Sequence, residues 1–200
     1  MIGNDVVDLA QRGVQPGALH PRFDARVFAQ SERELIASDG SPRLRWVLWA
    51  AKEAAYKVAK KLDPAVVWAP SRFVVSLETK TRGSVAHGAR RFALRVEETA
   101  ELVHALATDR APGESDESSG VARAEGDDLS AAARAYACSE LAARLGVSAR
   151  ALSVAKHGRV PVLCVDGAPA RADLSLSHHG RFVAFACQLE AAALARRLAS

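Results

Sequence analysis

Hydrophobic residues recur at steps of three and four positions along residues 43–62, and this spacing predicts a long amphipathic helix. Such positions share one face of a helix, so they predict a single buried stripe. Pro64 marks the end of the pattern. The apolar positions of this stripe are Leu44, Val47, Leu48, Ala51, Ala55, Val58 and Leu62.

Three further helices are predicted from weaker patterns. Residues 28–38 are typical of a helix capped by Ser31, with acidic residues in its first turn. Residues 130–145 have a helical pattern, and Gly146 suits a left-handed C-terminal cap. A terminal helix is expected from Leu189 onward.

Short runs of β-branched and aromatic residues between the helices predict strands. Their lengths and the turn residues between them favour antiparallel sheets, so the expected fold class is α+β. The predicted strands lie around Val6 and Val7 and at residues 73–77, 92–96, 102–107, 151–154, 160–165, 174–177 and 181–187.

The two ends of the chain resemble each other. A shift of 80 positions lays residues 92–107 on residues 172–187 without gaps, and apolar positions such as Leu94 and Leu174 coincide. An internal duplication would give two similar halves, each a small antiparallel sheet packed against helices. The alternative is a chance agreement between two strand pairs, since alternating strands share a pattern.

Charge divides the chain into three segments. Residues 1–107 carry 16 Lys and Arg against 12 Asp and Glu, residues 108–131 carry 2 against 7, and residues 132–200 carry 9 against 4. The middle segment is rich in Gly, Ser and acids, so we expect a flexible acidic linker between a first half, 1–107, and a second half, 132–200.

Composition excludes several classes of protein. The chain has 200 residues, 49% of them hydrophobic, and no stretch is long and apolar enough to predict a membrane span. Three widely spaced cysteines predict neither a disulfide framework nor a zinc site, and with no secretory signal they indicate the cytoplasm. The net charge of +4 suggests nucleic acid only weakly, because the basic residues are scattered and aromatics make up 6%.

Five polar residues are candidates for chemistry. Glu53 and Lys57 are four positions apart on the long helix and share a face, with Lys52 beside them. Asp5 lies near a predicted strand, and His178 lies near the end of another. Taken singly, each has a structural alternative: an exposed ion pair, a turn residue or a strand-end histidine.

Together, four segments resemble the motifs of the 4'-phosphopantetheinyl transferase superfamily. They are IGNDVVDL at 2–9, WAAKEAAYK at 49–57, GRVPVL at 158–163 and SLSHHGRFVAFA at 175–186. The resemblance implies transfer of the phosphopantetheine arm of coenzyme A to a serine of an acyl or peptidyl carrier protein, with release of adenosine 3',5'-bisphosphate. It also implies a fold of that family and a role in fatty acid, polyketide or nonribosomal peptide biosynthesis.

The resemblance assigns roles to individual residues. Asp5 and Glu53 would bind Mg²⁺ and, with Lys57, form the catalytic set. A divalent cation suits this chemistry because it screens the charge of the pyrophosphate. The base that takes the serine proton is Glu53, Lys57 or a metal-bound water. Coenzyme A contacts are expected from His178, Lys52, Lys57 and Arg159.

The sequence also departs from the family pattern. Many relatives have an acid two residues after the first aspartate, where this chain has Val7, so the third metal ligand is water or Asp8. Lys60 and Lys61 replace glycines that often follow the helix motif, and either supply charge or form a solvated helix end. His179 is not expected to be a ligand, because adjacent strand residues point to opposite faces.

The order of the motifs bears on assembly. In two-half relatives the glycine-arginine-proline and serine-histidine motifs come first, whereas here they follow the aspartate and lysine-glutamate motifs. This is the order of the holo-acyl-carrier-protein synthase type, which resembles one half and assembles as a trimer. Since Glu53 and Gly158 are 105 positions apart, we expect two halves in swapped order and a monomer with a pseudo-two-fold axis; the alternative is a homotrimer.

Three functions remain open at this point. The first is the transferase, acting on coenzyme A and an apo carrier protein without nucleic acid or membrane partners. The second is a non-catalytic relative that binds coenzyme A or a carrier protein. The third, resting only on the basic charge, is a nucleic-acid-binding protein.

Overall fold

A computed structural model describes residues 1–110 and 116–189. The first half is a five-stranded antiparallel sheet in the order β1-β5-β4-β3-β2, with the longest helix packed on one face. Its helices are α1 (Phe23–Val27), α2 (Gln30–Asp39) and α3 (Pro42–Leu62), and its strands are β1 (Ile2–Asp8), β2 (Val74–Leu77), β3 (Arg82–His87), β4 (Arg90–Glu98) and β5 (Leu102–Thr108).

Helix α3 forms where the hydrophobic spacing predicts it. Ser41 caps its first turn by accepting a hydrogen bond from the Arg43 backbone N–H at 3.2 Å, and Pro42 takes the first helical position. The predicted stripe is buried in the core or packs against it. Gly3 lets β1 approach α3 closely, because a Cβ atom there would lie 2.1 Å from the carbonyl oxygen of Ala54.

Helix α2 begins differently from the prediction. The residue that precedes its first turn is Ala29, so the assignment of Ser31 as the cap is wrong. The Ala29 backbone N–H donates instead to the carboxylate of Glu32 at 2.7 Å. An acidic side chain within the first turn therefore satisfies a backbone N–H group that precedes the helix.

The second half combines two small antiparallel sheets with one helix. Three strands pair in the order β10-β11-β6 and three in the order β7-β8-β9, and α4 packs on β10 and β11. The predicted Gly146 cap is confirmed, with a left-handed φ of 66°. The elements of this half are β6 (Asp116–Arg123), α4 (Leu129–Leu145), β7 (Leu152–His157), β8 (Val160–Val165), β9 (Ala168–Pro169), β10 (Ala172–His179) and β11 (Phe182–Leu189). Short 3-10 helices lie at Arg12–Val14, Pro16–Ala18 and Pro70–Arg72 in the first half and at Ala149–Ala151 in the second.

The expected flexible linker over residues 108–131 is wrong for the part that forms β6. Strand β6 pairs along its whole length with β11, from Asp116 opposite Leu189 to Arg123 opposite Phe182. Every residue of β11 is buried, so its backbone needs a partner on each side, and β6 supplies those hydrogen bonds. The expected start of the second half at residue 132 falls inside α4 and after a strand of the same sheet.

The α+β prediction is confirmed, and the two halves repeat a common order of elements. Each has a first strand, a helix and a final antiparallel hairpin whose last strand pairs with that first strand. The shift of 80 positions lays Ala105 on Phe185. Ala105 pairs with Asp5 across the first sheet, and Phe185 pairs with Gly120 across the second, so Gly120 is the counterpart of Asp5. The predicted helix beyond Leu189 lies outside the described residues.

The halves meet where the outer edge of β1 lies beside β10. Small apolar clusters join them at either end of β1, one around Ile2 and Ala186 and the other around Val6 and Phe182. No helix within residues 1–110 and 116–189 has the length and apolar character that crossing a membrane requires.

Candidate functional site

Three of the predicted residues come together between β1 and α3. Lys57 donates from its Nζ to Oδ1 of Asp5 at 3.2 Å and to the backbone oxygen of Asn4 at 2.6 Å. Glu53 lies one turn earlier on α3, and its pKa responds to the charges of both Asp5 and Lys57. The alternation of β1 directs Gly3 and Asp5 to the helix, so the close approach at Gly3 brings the carboxylate to Lys57.

Burial dominates the electrostatics of the two carboxylates. It raises the pKa of Asp5, although the neighbouring Lys57 ammonium acts in the opposite direction. Burial also raises the pKa of Glu53 to about 7, and the negative charge of Asp5 adds to this effect. Two carboxylates compete here for a single ammonium, which creates a site of excess negative charge.

This donor set fits a hard divalent cation. Mg²⁺ prefers oxygen ligands and commonly binds to one or two carboxylates while keeping several waters. Among the described residues, no cluster of three or more His, Cys, Asp or Glu could hold a metal ion. Asp5 and Glu53 give the site two carboxylates, a number within the range that Mg²⁺ commonly uses.

The candidates for a third protein ligand are engaged elsewhere. The Val7 side chain, where many relatives carry an acid, is 3% exposed in the core of the first half. Asp8 is 1% exposed and accepts hydrogen bonds from Arg181 and from the Ala10 backbone N–H. Both carboxylate oxygens of Asp8 are therefore engaged in hydrogen bonds within the fold.

Two of the other three predicted residues, His178 and Arg159, come together in the second half. His178 and Arg159 line one cavity of about 150 Å³, together with Lys156 and Arg134. His179 points the other way, and its Nδ1 accepts the backbone N–H of Asp8 at 2.9 Å. The two adjacent histidines therefore face opposite sides of β10, as the strand alternation predicts.

Sequence reasoning missed two cations of this cavity, Lys156 and Arg134. Lys156 lies on β7, two residues before the turn at Gly158, and Arg134 lies in the first turns of α4. The Gly158–Arg159 motif signals the nearby hairpin, but Arg134 comes from a separate element and carries no motif. The cavity is therefore more cationic than the two predicted residues indicate.

Lys52 is not part of either site. Its side chain is 0% exposed and pairs with Glu32 at 2.6 Å, and it also donates to the backbone oxygens of Pro70 and Phe73. All of its hydrogens are committed inside the first half, so the expected phosphate contact is wrong. Its position five residues before Lys57 turns it away from Asp5.

The ammonium groups of Lys60 and Lys61 are hydrogen-bonded within the protein, so they do not form the freely solvated helix end that was one of the two expectations. Lys60 donates to the backbone oxygens of Pro64 and Val66 just beyond α3. Lys61 is 6% exposed and donates at 2.8 Å to Asp173 of the second half. Both lysines serve the fold, and Lys61 joins the two halves.

Comparison with known families gives a match to the first half of the chain. The profile of the 4'-phosphopantetheinyl transferase superfamily matches residues 1–107, the segment that carries Asp5, Glu53 and Lys57. The chain therefore belongs to the 4'-phosphopantetheinyl transferase superfamily. A search of curated proteins finds no match.

Proposed function

We propose that the protein transfers 4'-phosphopantetheine from coenzyme A to a serine of an acyl or peptidyl carrier protein in a Mg²⁺-dependent reaction. The observation that carries this proposal is the convergence of Asp5, Glu53 and Lys57 between β1 and α3. Family membership supports the same class of reaction. The serine oxygen bonds to the phosphorus that carries the pantetheine arm, and adenosine 3',5'-bisphosphate leaves.

The site formed by Asp5, Glu53 and Lys57, the first site, would hold the pyrophosphate of coenzyme A. Asp5 and Glu53 are the carboxylates that would bind Mg²⁺, which supplies charge screening for the pyrophosphate. Lys57 donates a hydrogen bond to Asp5 and provides a cation beside the two carboxylates. In this role the lysine positions the carboxylate as well as stabilising negative charge.

The second site would hold the nucleotide end of coenzyme A. His178 and Arg159 line its cavity, and Lys156 and Arg134 add two cations. Coenzyme A carries a 3'-phosphate and a pyrophosphate, so a cavity with several cationic side chains suits it. A carrier protein would then approach the first site from solvent, since both Asp5 and Lys57 remain partly exposed.

Both sites belong to one chain, which supports a monomer with a pseudo-two-fold axis. At the position that corresponds to Asp5, the second half has Gly120, and the Tyr136 hydroxyl lies 2.5 Å from where a Cβ atom would be. The second half therefore lacks this carboxylate. One complete site per chain follows from that difference.

Val7 favours a second candidate function. An apolar residue where many relatives place an acid is consistent with a non-catalytic protein that binds coenzyme A or a carrier protein. Mass spectrometry separates the two functions after incubation with coenzyme A, Mg²⁺ and a panel of apo carrier proteins. Addition of the phosphopantetheine arm supports the transferase. Coenzyme A binding without transfer to any carrier supports the binding protein, and nucleic-acid binding without coenzyme A binding contradicts both.

A further inference from the structure

Side chains of β10 satisfy the outer edge of β1. The N–H groups of three residues on β1 donate to side chains on β10, each with an offset of 171 positions. An edge strand normally leaves these groups to water or to another strand. The three bonds are from Ile2 to Asp173 at 2.5 Å, from Asn4 to Ser175 at 3.0 Å and from Asp8 to His179 at 2.9 Å.

The tightest junction lies at one end of this edge, between Asp8 and Arg181. The Arg181 guanidinium donates to both carboxylate oxygens of Asp8, at 2.8 and 2.7 Å, and the Arg181 backbone N–H donates to Oδ2 at 2.9 Å. The Asp8 side chain is 1% exposed, and the hydrogen bond from Arg181 is the main reason that its pKa lies well below the usual range. Bidentate pairs of this kind fix both distance and orientation.

The turn between β10 and β11 is shaped to this carboxylate. Gly180 has a left-handed φ of 55°, and a Cβ atom there would lie 2.5 Å from Oδ2 of Asp8 and 2.6 Å from Gln11. His179 and Arg181 contact Asp8 from either side of this glycine. The hairpin tip therefore encloses one buried carboxylate of the other half.

The junction lies close in sequence to both parts of the proposed site. Asp8 follows Asp5 by three residues on β1, and Arg181 follows His178 by three residues across the hairpin turn. We propose that Asp8 and Arg181 are positioning residues, which hold the cavity around His178 at a fixed distance from the Asp5 and Glu53 carboxylates. This inference rests on the proposed function, because it assumes that coenzyme A spans the two sites.

A fixed separation has a measurable consequence for binding. Suppose that the second-half cavity holds the nucleotide and that the carboxylates hold Mg²⁺. The metal and coenzyme A then strengthen each other's binding only when the distance between the cavity and the carboxylates is fixed. Loss of the junction should then reduce this mutual effect. It should leave the separate affinity of the second-half cavity for the nucleotide nearly unchanged.

Arg123 provides a matched control. Arg123 and Arg181 both lie over the Phe182 ring, at 5.4 and 5.3 Å, and both pair with Glu101. Only Arg181 bonds to Asp8. Arg123→Met and Arg181→Met therefore remove the same ring and carboxylate contacts but differ in the junction.

The test is isothermal titration of the full-length protein with coenzyme A, with and without Mg²⁺, in wild type, Arg181→Met, Arg181→Lys and Arg123→Met. We expect Mg²⁺ to raise wild-type affinity by about tenfold or more, within the usual range of coupling between sites. Arg181→Met should lose most of this gain while its metal-free affinity stays within about twofold, on the scale of that coupling. Arg181→Lys should retain part of the gain, and Arg123→Met should retain all of it.

Each outcome bears on a separate statement. A wild-type protein that binds no coenzyme A contradicts the proposed function itself. A wild-type gain that Arg181→Met leaves intact, or that Arg123→Met loses equally, overturns the positioning role. A wild-type protein that binds coenzyme A with no gain from Mg²⁺ also overturns it. Circular dichroism checks that each variant is folded, and Asp8→Asn replaces Arg181→Met if the latter is not.

Discussion

Lys57 Nζ lies 3.2 Å from Oδ1 of Asp5 and 2.6 Å from the backbone oxygen of Asn4, so one ammonium joins α3 to β1. The same lysine lies one helical turn from Glu53, whose pKa it lowers against the larger effect of burial. A single positive charge thus faces two carboxylates. The arrangement brings residues of the helix motif and of the strand motif into contact.

The close packing of β1 on α3 predicts a large effect at Gly3. A Cβ atom at this position would lie 2.1 Å from the Ala54 carbonyl oxygen, so Gly3→Ala must move the strand or the helix. We expect a loss of about 2 kcal/mol or more in the free energy of unfolding. Gly17→Ala is the control, because no heavy atom lies within 4 Å of its Cβ position. Equal urea midpoints for the two variants would contradict this packing.

The raised pKa of Glu53 determines how we expect the stability of the metal-free protein to depend on pH. Its folded pKa, raised to about 7, lies above the unfolded value of ~4.3. The folded state therefore holds the proton more tightly, and the stabilisation present below pH ~4.3 is lost as pH rises through about 7.

In EDTA, raising the pH from 5 to 8 should therefore lower the thermal midpoint of the wild type more than that of Glu53→Gln, because the glutamine cannot ionise. Differential scanning calorimetry at both pH values measures the difference, with Mg²⁺ added in a parallel series. Parallel pH profiles for the wild type and Glu53→Gln would show that Glu53 titrates normally.

Replacement of Lys52 should lower the free energy of unfolding without specifically weakening coenzyme A binding. Lys52→Met leaves the buried Glu32 carboxylate without its ammonium partner, and removing one member of a buried pair costs about 3–5 kcal/mol. Chemical denaturation measures this cost, and titration with coenzyme A measures the affinity of the folded protein. A stable Lys52→Met protein with weakened coenzyme A binding would restore Lys52 as a phosphate contact.

The presence of both sites in one chain predicts a monomer. Size-exclusion chromatography with light scattering should give a mass near 21.2 kDa, the mass of one chain. A stable trimer would contradict the account if mixed trimers of Glu53→Gln and His178→Ala chains recovered activity, because complementation requires sites between subunits.

The sequence predicts the elements whose signals are local. Periodic apolar residues define α3, and Gly146 marks the end of α4 with the left-handed conformation that its position requires. In each case the residues that determine the structure are close to one another in sequence.

The sequence does not predict features that depend on distant partners. The acidic β6 has no apolar alternation, and it is a strand because β11 is buried and needs hydrogen bonds on its second side. The helix sequence alone does not distinguish the roles of Lys52 and Lys57. The fold pairs Lys52 with the buried Glu32 and Lys57 with Asp5. Asp8 is likewise a plausible metal ligand in sequence, whereas the fold commits it to Arg181.

We propose that Asp5 and Glu53 support phosphopantetheine transfer, and intact mass spectrometry of apo carrier proteins provides the decisive test. With coenzyme A and Mg²⁺, we expect the wild type to add one phosphopantetheine arm to a carrier. EDTA should abolish the addition, and Asp5→Ala and Glu53→Ala should reduce its rate by about 100-fold or more, as losses of charge stabilisation in a transition state do. The Arg123→Met control should transfer at the wild-type rate. Unchanged transfer by folded Asp5→Ala and Glu53→Ala proteins would contradict the claim.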